Sequence, residues 1–245
     1  MATNYETFSY DVLVIGAGGA GLRAAIEASA AGVSVGLVCK SLLGKAHTVM
    51  AEGGMAAAMG NVDDRDSWKV HFADTMRGGQ YVNNWRMAEL HAKEAPARVH
   101  ELEKWGAVFD RTKEGKISQR NFGGHRYPRL AHVGDRTGLE MIRTLQDHGI
   151  HQGITVHMEW TIVTLLKDGD RIAGAFGIFS LIQEMSRKTP PCGLPRPALT
   201  SLWIARATMS RGKRSGVRRA LDAVPDVLSR SHWSASGSAL AVSLA

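Results

Sequence analysis

The chain has 245 residues, of which 44% are hydrophobic and 22% charged, as in a soluble globular protein with one large domain or two small ones. No apolar run reaches the ~18 residues of a membrane span, and the first residues lack a secretory signal, so we expect a cytoplasmic location. Cys39 and Cys192 exclude a disulfide framework and an iron–sulfur cluster, which takes about four thiolates, so we expect no metal centre in this chain.

The net charge of +7 is unevenly distributed. Residues 181–245 contain eight Arg and two Lys against three acidic residues, whereas the first 180 residues contain 20 basic and 20 acidic side chains. Five of the seven prolines also follow residue 180. The sequence therefore predicts a domain over residues 1–180 and an irregular, basic C-terminal tail over residues 181–245.

The first elements predict a Rossmann-type unit. An apolar strand over residues 11–15 leads into a glycine-rich turn, and a helix over residues 22–31 ends at Gly32. A second buried strand follows over residues 33–38. This strand–turn–helix–strand order is that of a dinucleotide-binding βαβ unit.

The remaining elements predict a mixed α/β fold. We expect a loop over residues 41–61, helices over 65–77 and 84–105, with Pro96 kinking or restarting the second, and a small hairpin over 109–117. An irregular loop over 121–135 precedes a helix over 137–147, and strands over 154–166 and 171–179 flank a turn.

The turn after the first strand contains Gly16, Ala17, Gly18, Gly19, Ala20 and Gly21, which fit the pattern G-x-G-x-x-G. Gly16 permits the tight turn, Gly18 lets the backbone approach a pyrophosphate, and Gly21 lets the helix pack closely on the strands. The helix N-terminus then offers N–H groups and a positive dipole end to the phosphates. Since the flanking elements are correct, the turn predicts dinucleotide binding rather than a ligand-free turn.

The acidic residue that usually ends the second strand is absent. Its place is taken by Cys39, Lys40 and Ser41, so no carboxylate there accepts from a ribose hydroxyl. This argues against a simple NAD enzyme and leaves FAD open, with these three residues as candidates for contact with its adenosine half.

Further along the chain, several motifs resemble one family. His47-Thr48, Ala51-Glu52-Gly53-Gly54, Asn121-Phe-Gly-Gly124 and Gly134-Asp-Arg-Thr-Gly138, together with the glycine turn, resemble the flavoprotein subunit of succinate dehydrogenase and fumarate reductase. The resemblance covers about residues 8–180. Residues 40–47 and 84–91 are most similar to an actinobacterial-type branch.

The resemblance implies an incomplete Rossmann-like FAD-binding domain, with a mixed sheet, small hairpins and helices. It also implies a covalent bond between His47 and the 8α-methyl carbon of FAD. Thr48 and the Ala51–Gly54 loop would contact the flavin. A neutral imidazole is a competent nucleophile, and small residues let the chain lie against a planar ring. Without the resemblance, His47 would be interpreted as a surface or capping residue.

Substrate contacts are less specific in this sequence. The resemblance places Phe122 and Gly123 near a dicarboxylate, although Phe122 could equally be a core residue. A basic loop could attract the same substrate but is better interpreted as a solvated loop; it contains His125, Arg126, Arg129 and His132. We expect Arg136 to have a structural role in a buried ion pair.

The family function that the resemblance implies is succinate–fumarate interconversion. Electrons would pass through an iron–sulfur subunit to a membrane quinone anchor, placing the protein on the inner face of the cell membrane. The family's capping domain, with its substrate-clamping histidines and acid–base arginine, has no match here, so we expect no catalytic residue in this chain and an inactive, truncated subunit. An L-aspartate oxidase-like flavoprotein, which commonly lacks a histidine at this position, and a non-catalytic FAD-binding fragment are the alternatives.

The tail has a separate interpretation. Because the resemblance stops abruptly near Ser180, we interpret residues 181–245 as disordered or as out-of-frame sequence after a truncation. A tail that binds nucleic acid or anionic lipid is the rival hypothesis, but only Trp203 and Trp233 could stack on bases. We therefore expect no nucleic-acid partner.

Overall fold

The computed structural model describes residues 5–180, 200–207 and 241–243. They fall into two compact units, one containing the described residues up to 46 and from 149 onward, the other residues 47–148. The strands are β1 (Tyr5–Tyr10), β2 (Val12–Ile15), β3 (Val35–Val38), β4 (Met55–Ala56), β5 (Gln119–Arg120), β6 (Leu130–Ala131), β7 (Thr155–His157), β8 (Trp160–Asp168), β9 (Arg171–Ser180), β10 (Thr200–Ala207) and β11 (Ala241–Ser243). The helices are α1 (Gly19–Ala30), α2 (Trp68–Gly78), α3 (Trp85–Lys104) and α4 (Thr137–His151).

The first unit is built on a parallel sheet of strand order β11-β2-β3-β7. Helix α1 connects β2 to β3, which gives the predicted βαβ unit. Strand β3 is buried along its whole length and β2 along most of it. Their continuous apolar character follows from this, because both faces of a parallel sheet are covered.

A second sheet, β1-β10-β9-β8, packs on the first. Strand β1 pairs parallel with β10, and the other neighbours pair antiparallel. Leu13 and Val38 from the parallel sheet and Trp160 and Ala175 from the second sheet form one buried cluster. One part of the core of this unit therefore lies between the two sheets, and helix α1 adds the buried residues Leu22, Ala25 and Ile26.

A buried carboxylate fixes the start of the βαβ unit. Asp11 precedes β2, is 6% exposed, and accepts hydrogen bonds from the Ser34 amide (2.9 Å) and hydroxyl (2.7 Å). The Asp11 amide donates to the Ser34 carbonyl in return. These bonds set the register in which β2 and β3 begin.

The second unit combines α2, α3 and most of α4 with a small antiparallel sheet of order β4-β6-β5. Ser67 caps α2 by accepting from the Val70 amide, and Asn84 caps α3 by accepting from the amides of Arg86 and Met87. Both are residue types that satisfy free helix N–H groups. Helix α3 runs through Pro96 without interruption.

Buried charge lies at the centre of the second unit. The Arg129 side chain is fully buried, and its Nη2 donates to Asp66 Oδ1 and Asp74 Oδ2, each at 2.9 Å. Burial raises the pKa of Asp66 because the attraction of Arg129 offsets it only in part. Burial also opposes ionisation of Asp74, but its hydrogen bond from the Arg126 amide and two neighbouring guanidinium groups lower the pKa overall.

Three histidine rings lie beside these charges. The His71 ring centroid is 5.3 Å from that of His91 and 5.9 Å from that of His125. Burial, followed by the charge of Arg129 and the two other rings, lowers the pKa of His71 to about 4. Burial also lowers the pKa values of His91 and His125, so all three rings are neutral near pH 7.

The structure differs from the predicted elements at identifiable points. The predicted strand over 154–166 is two strands in different sheets, and Glu159, with φ of +63°, forms the bend between them. The predicted hairpin over 109–117 is present but short: one antiparallel bridge joins Arg111 and Ile117, and backbone hydrogen bonds join Thr112 to Lys116 and Ser118 to Asp110. Strand β1 was not predicted.

The predicted tail is described only in part. Thr200–Ala207 and Ala241–Ser243 are strands, where no regular element was expected. The apolar run Leu202-Trp203-Ile204 accounts for the first of them, since aromatic and β-branched residues favour strands. The other residues of the tail lie outside the described part of the chain, and its origin stays a prediction.

Within the described ranges, no helix is long and apolar enough to span a membrane.

Replacing Arg129 with methionine should destabilise the fold strongly. It leaves the buried carboxylates of Asp66 and Asp74 without their shared cation, a change that costs about 3–5 kcal/mol. Urea unfolding at pH 7 measures the loss, with Arg98→Met, at an exposed ion pair with Glu101, as the matched control. We expect that control to stay within about 1 kcal/mol of wild type. Equal losses in the two variants would contradict the role of Arg129.

The stability of the protein should fall as pH falls from about 6.5 towards 4. The pKa of His71 is depressed in the folded state, so the unfolded chain binds more protons in this window and the stability is complete only above it. His71→Gln removes one group that takes up a proton on unfolding. The slope of the unfolding free energy against pH should therefore decrease by up to about 1.4 kcal/mol per pH unit. Urea titrations at pH 4.5, 5.5 and 6.5, with exposed His100→Gln as control, measure it.

Candidate functional site

The glycine turn after β2 has the tight geometry that its pattern predicts. Gly16 has φ of +107°, a region that side chains disfavour, and its amide donates to the Val38 carbonyl at 2.8 Å. The turn is thus tied to the end of β3.

Helix α1 approaches this turn so closely that only glycine fits at position 21. A Cβ atom on Gly21 would lie 1.9 Å from the Gly16 carbonyl oxygen, whereas real Cβ contacts stay beyond 3.0 Å. The structure therefore confirms the packing role that the pattern assigns to Gly21.

The N-terminus of α1 suits an anion. Gly18 is its N-cap residue, in an extended conformation and with no side-chain capping bond, and the first turn holds no acidic residue. Ala17 is buried, Gly19 is half-buried and Ala20 is exposed. The positive end of the helix dipole is therefore not neutralised by an acidic side chain of this helix, as pyrophosphate binding requires.

The end of β3 carries a thiol, an ammonium and a hydroxyl side chain rather than a carboxylate. Cys39 is buried, and burial raises the pKa of its thiol to about 11, so the sulfur is an uncharged packing group. Its amide donates to the His157 carbonyl, and its carbonyl accepts from the Trp160 amide. Lys40 is exposed and Ser41 half-buried, so of the three residues these two have accessible side chains.

Glu159 is a residue that the sequence did not single out. Its amide donates to the Ser41 carbonyl at 3.3 Å, which places an acidic residue beside the strand end that lacks one. The signal was hidden because residues 154–166 were predicted as one strand, whereas Glu159 forms the bend between two.

His47 begins a 3₁₀ helix, His47–Met50, in the second unit, and its ring is exposed. The Gly138 amide donates to the Ala51 carbonyl at 2.7 Å, and a Cβ on Gly138 would lie 1.9 Å from the Thr48 carbonyl oxygen. The motif Gly134–Gly138 thus supports the segment that carries His47. An exposed imidazole on a supported turn can react with an electrophilic carbon.

The loop after this helix is held on two sides. Gly54 has φ of +121°, and a Cβ there would lie 2.7 Å from the Ala131 carbonyl oxygen. Arg120 Nε donates to the Gly53 carbonyl at 2.8 Å, and its Nη2 donates to the Glu52 carbonyl. Arg120 is a second residue that the sequence did not single out.

The predicted substrate-side residues lie near this loop. Phe122 is 57% exposed, so core packing does not explain it, and its ring is 3.4 Å from where a Cβ on Gly53 would be. Gly123 is exposed, and a Cβ there would have open space around it. An apolar ring on the surface next to a glycine loop can pack against a ligand.

The basic loop divides into buried and exposed members. Arg129 is in the buried ion cluster, His132 Nδ1 lies 2.8 Å from Asp110 Oδ2, and His125 is half-buried. Arg126 is exposed. Arg136 is also exposed, which contradicts the expectation of a buried ion pair.

The fold and the glycine turn define a dinucleotide-binding domain of a flavoprotein oxidoreductase. Residues 11–189 match the FAD binding domain family, and the chain belongs to that family. Its cofactor is FAD, and the close packing at Gly21 and an α1 N-terminus whose N-cap residue, Gly18, has no side chain fit this cofactor's pyrophosphate.

Relatives of this chain include subunits of succinate dehydrogenases and fumarate reductases. One subunit of the CoM/CoB fumarate reductase of Methanothermobacter marburgensis is 46% identical over 180 residues, 73% of this chain and 33% of that protein. The succinate dehydrogenase flavoprotein subunit of Coxiella burnetii is 38% identical over 186 residues, 72% of this chain and 31% of that protein.

A solved structure agrees with these relatives. Sdh1 of Mycobacterium smegmatis, in complex with UQ1, has a TM-score of 0.72 and 58% identity, covering 83% of this chain and 33% of that one. The chain therefore spans about a third of the length of the relatives it matches.

Gly21→Ala should abolish FAD binding, because the new Cβ forces α1 away from the Gly16 carbonyl. Overpacking of this kind costs about 1–3 kcal/mol in stability. Gly78→Ala, in α2 with no neighbour within 4 Å, is the matched control and should bind FAD normally. Fluorescence titration with FAD and urea unfolding measure the two effects. Wild-type affinity in Gly21→Ala would contradict the close packing.

Proposed function

We propose that this chain is the flavin-binding part of a flavoprotein subunit that interconverts succinate and fumarate. One observation supports the proposal most: a glycine turn suited to pyrophosphate occurs in the same chain as an exposed histidine on a supported, glycine-rich segment. The names of the relatives support the same reaction class.

Each part of the chain has a defined task in this proposal. Bound FAD supplies a two-electron acceptor and donor. The α1 N-terminus, with the turn Gly16–Gly21, holds the pyrophosphate, and Lys40 and Ser41 lie at the strand end where the adenosine ribose binds. The backbone of the Ala51–Gly54 loop supports the isoalloxazine ring.

His47 is proposed as the covalent attachment point through the flavin 8α-methyl carbon. Its ring is exposed, and the backbone of its helix is packed against Gly138, so the imidazole is accessible while its main chain is held. Attachment would replace one C–H bond of the 8α-methyl group and the imidazole N–H bond by a C–N bond, release two protons and leave the flavin reduced by two electrons, which dioxygen in the buffer would accept. The bond would prevent loss of the cofactor.

The substrate and partners are those of the complete subunit. A dicarboxylate would approach the exposed Phe122 ring and Gly123. Electrons would pass through an iron–sulfur subunit to a membrane quinone anchor, and these partners would hold the protein on the inner face of the cell membrane. No nucleic-acid partner is proposed.

The chain itself is proposed to bind flavin without turning over succinate. No residue in it is assigned as the acid–base catalyst or as a clamp for the substrate carboxylates. An L-aspartate oxidase-like activity is the second candidate within this fold, and the histidine at position 47 disfavours it.

Acid precipitation tests the flavin linkage. Purified wild-type protein, incubated with FAD and precipitated in acid, should retain flavin absorbance in the pellet, because a histidyl bond survives unfolding. His47→Ser should release all flavin to the supernatant, whereas His100→Ser, at an exposed position on α3, should behave as wild type.

Each other result has a defined meaning. Wild-type flavin found only in the supernatant would refute the covalent bond and favour the oxidase-like alternative. No flavin in either fraction would refute the proposed function. Succinate-dependent dye reduction by the chain alone would show that the assignment of no catalytic residue is wrong.

A further inference from the structure

Arg120 makes a set of contacts that the proposed function does not use. We propose that Arg120 is a positioning residue: its guanidinium holds the carbonyl groups of Glu52 and Gly53 and thereby fixes the loop backbone that meets the flavin ring. The identity of the ligand rests on the proposed function, whereas the holding of the loop rests on the contacts alone.

Three donors of one side chain take part. Nε donates to the Gly53 carbonyl at 2.8 Å, Nη2 donates to the Glu52 carbonyl, and Nη1 donates to Asp135 Oδ1 at 2.9 Å. Arg120 lies in β5, where its backbone pairs with Leu130 of β6, so the base of the side chain is fixed. Its side chain is 31% exposed.

The chemistry of these contacts requires arginine. A guanidinium presents five N–H donors in a rigid planar fork, so it can bind two successive carbonyls and a carboxylate together. A lysine ammonium is a compact charge on a flexible stem and would hold the loop less precisely.

Fixing the carbonyls also fixes the neighbouring amides. In a planar trans peptide the N–H points opposite to the C=O, so the amides of Gly53 and Gly54 are directed away from Arg120. The next residue, Met55, pairs with Ala131 of β6, and the backbone at Gly54 lies so close to the Ala131 carbonyl that a Cβ there would not fit, so the end of the loop is fixed against β6. The loop thus presents two oriented donors, suited to the acceptor atoms of a planar heteroaromatic ring.

Hydrogen–deuterium exchange on the FAD-free chain tests the holding of the loop. Arg120→Gln should speed exchange of the peptide covering residues 51–56 by about tenfold, since hydrogen bonds from a charged group stabilise local structure to that extent. Arg120→Lys should be intermediate, and Asp135→Asn, which removes the charge of a largely exposed carboxylate, should stay within about threefold of wild type. Arg98→Gln is the matched control and should leave this peptide unchanged.

FAD titration of the same variants tests the positioning of the ligand. Affinity should decrease in the order wild type, Arg120→Lys, Arg120→Gln, with a total loss of about tenfold, because binding must then order a loosened loop. The visible absorption band of the bound flavin should shift in Arg120→Gln and remain unchanged in Arg98→Gln. A purely structural role of Arg120 would lower stability without this shift.

The outcomes distinguish the holding of the loop by Arg120 from the effect of Arg120 on the bound ligand. Wild-type exchange of residues 51–56 in Arg120→Gln would overturn the holding role, as would an equal effect in Arg98→Gln. Faster exchange with unchanged FAD affinity and an unchanged absorption band would overturn the positioning role. Failure of the wild-type chain to bind FAD would refute the proposed function, while the exchange result would still decide whether Arg120 holds the loop. If Arg120→Gln does not fold, Arg120→Lys supplies the same comparison.

Discussion

The close approach of Gly21 to the Gly16 carbonyl is the constraint on which the first unit depends. A Cβ at position 21 would be 1.9 Å from that oxygen, so the turn and helix α1 can pack as they do only with glycine there. The same packing places the N-terminus of α1 at the carboxyl end of β2, a position that suits an anion. The absence of a side chain at Gly21 is therefore needed both for the packing of the βαβ unit and for the position of the helix end that suits an anion.

The βαβ unit could be predicted from the sequence because its signals are local. Apolar runs for β2 and β3, the glycine spacing and the glycine that ends α1 all lie within about 30 residues, a normal length for such a unit. Strand β8 could not be separated from β7 in the same way. They are nearly consecutive in the chain, and only the left-handed backbone at Glu159 divides them between two sheets.

The supports of the candidate site could not be predicted, because they come from distant parts of the chain. His47 and Gly54 are proposed as site residues through their motifs alone. The contacts of Arg120 with Glu52 and Gly53 join positions 67 and 68 residues apart, and nothing in the local sequence of Arg120 indicates them. Arg129 shows the reverse case: its basic loop suggested a solvated surface, yet its pairing with Asp66 and Asp74 makes it one of the most buried side chains in the unit.

Arg129 and Arg120, both in the second unit, thus have different structural roles. Arg129 is fully buried between carboxylates, so its charge is compensated inside the unit and is not available to a ligand. Arg120 lies at the surface and donates mainly to backbone carbonyls, so it shapes a loop without forming a dense ion cluster. The glycines at positions 53 and 54 give that loop a backbone that a ring can approach, and glycine alone would leave it flexible. The arginine supplies the rigidity that the glycines lack, which is why the two residue types are needed together.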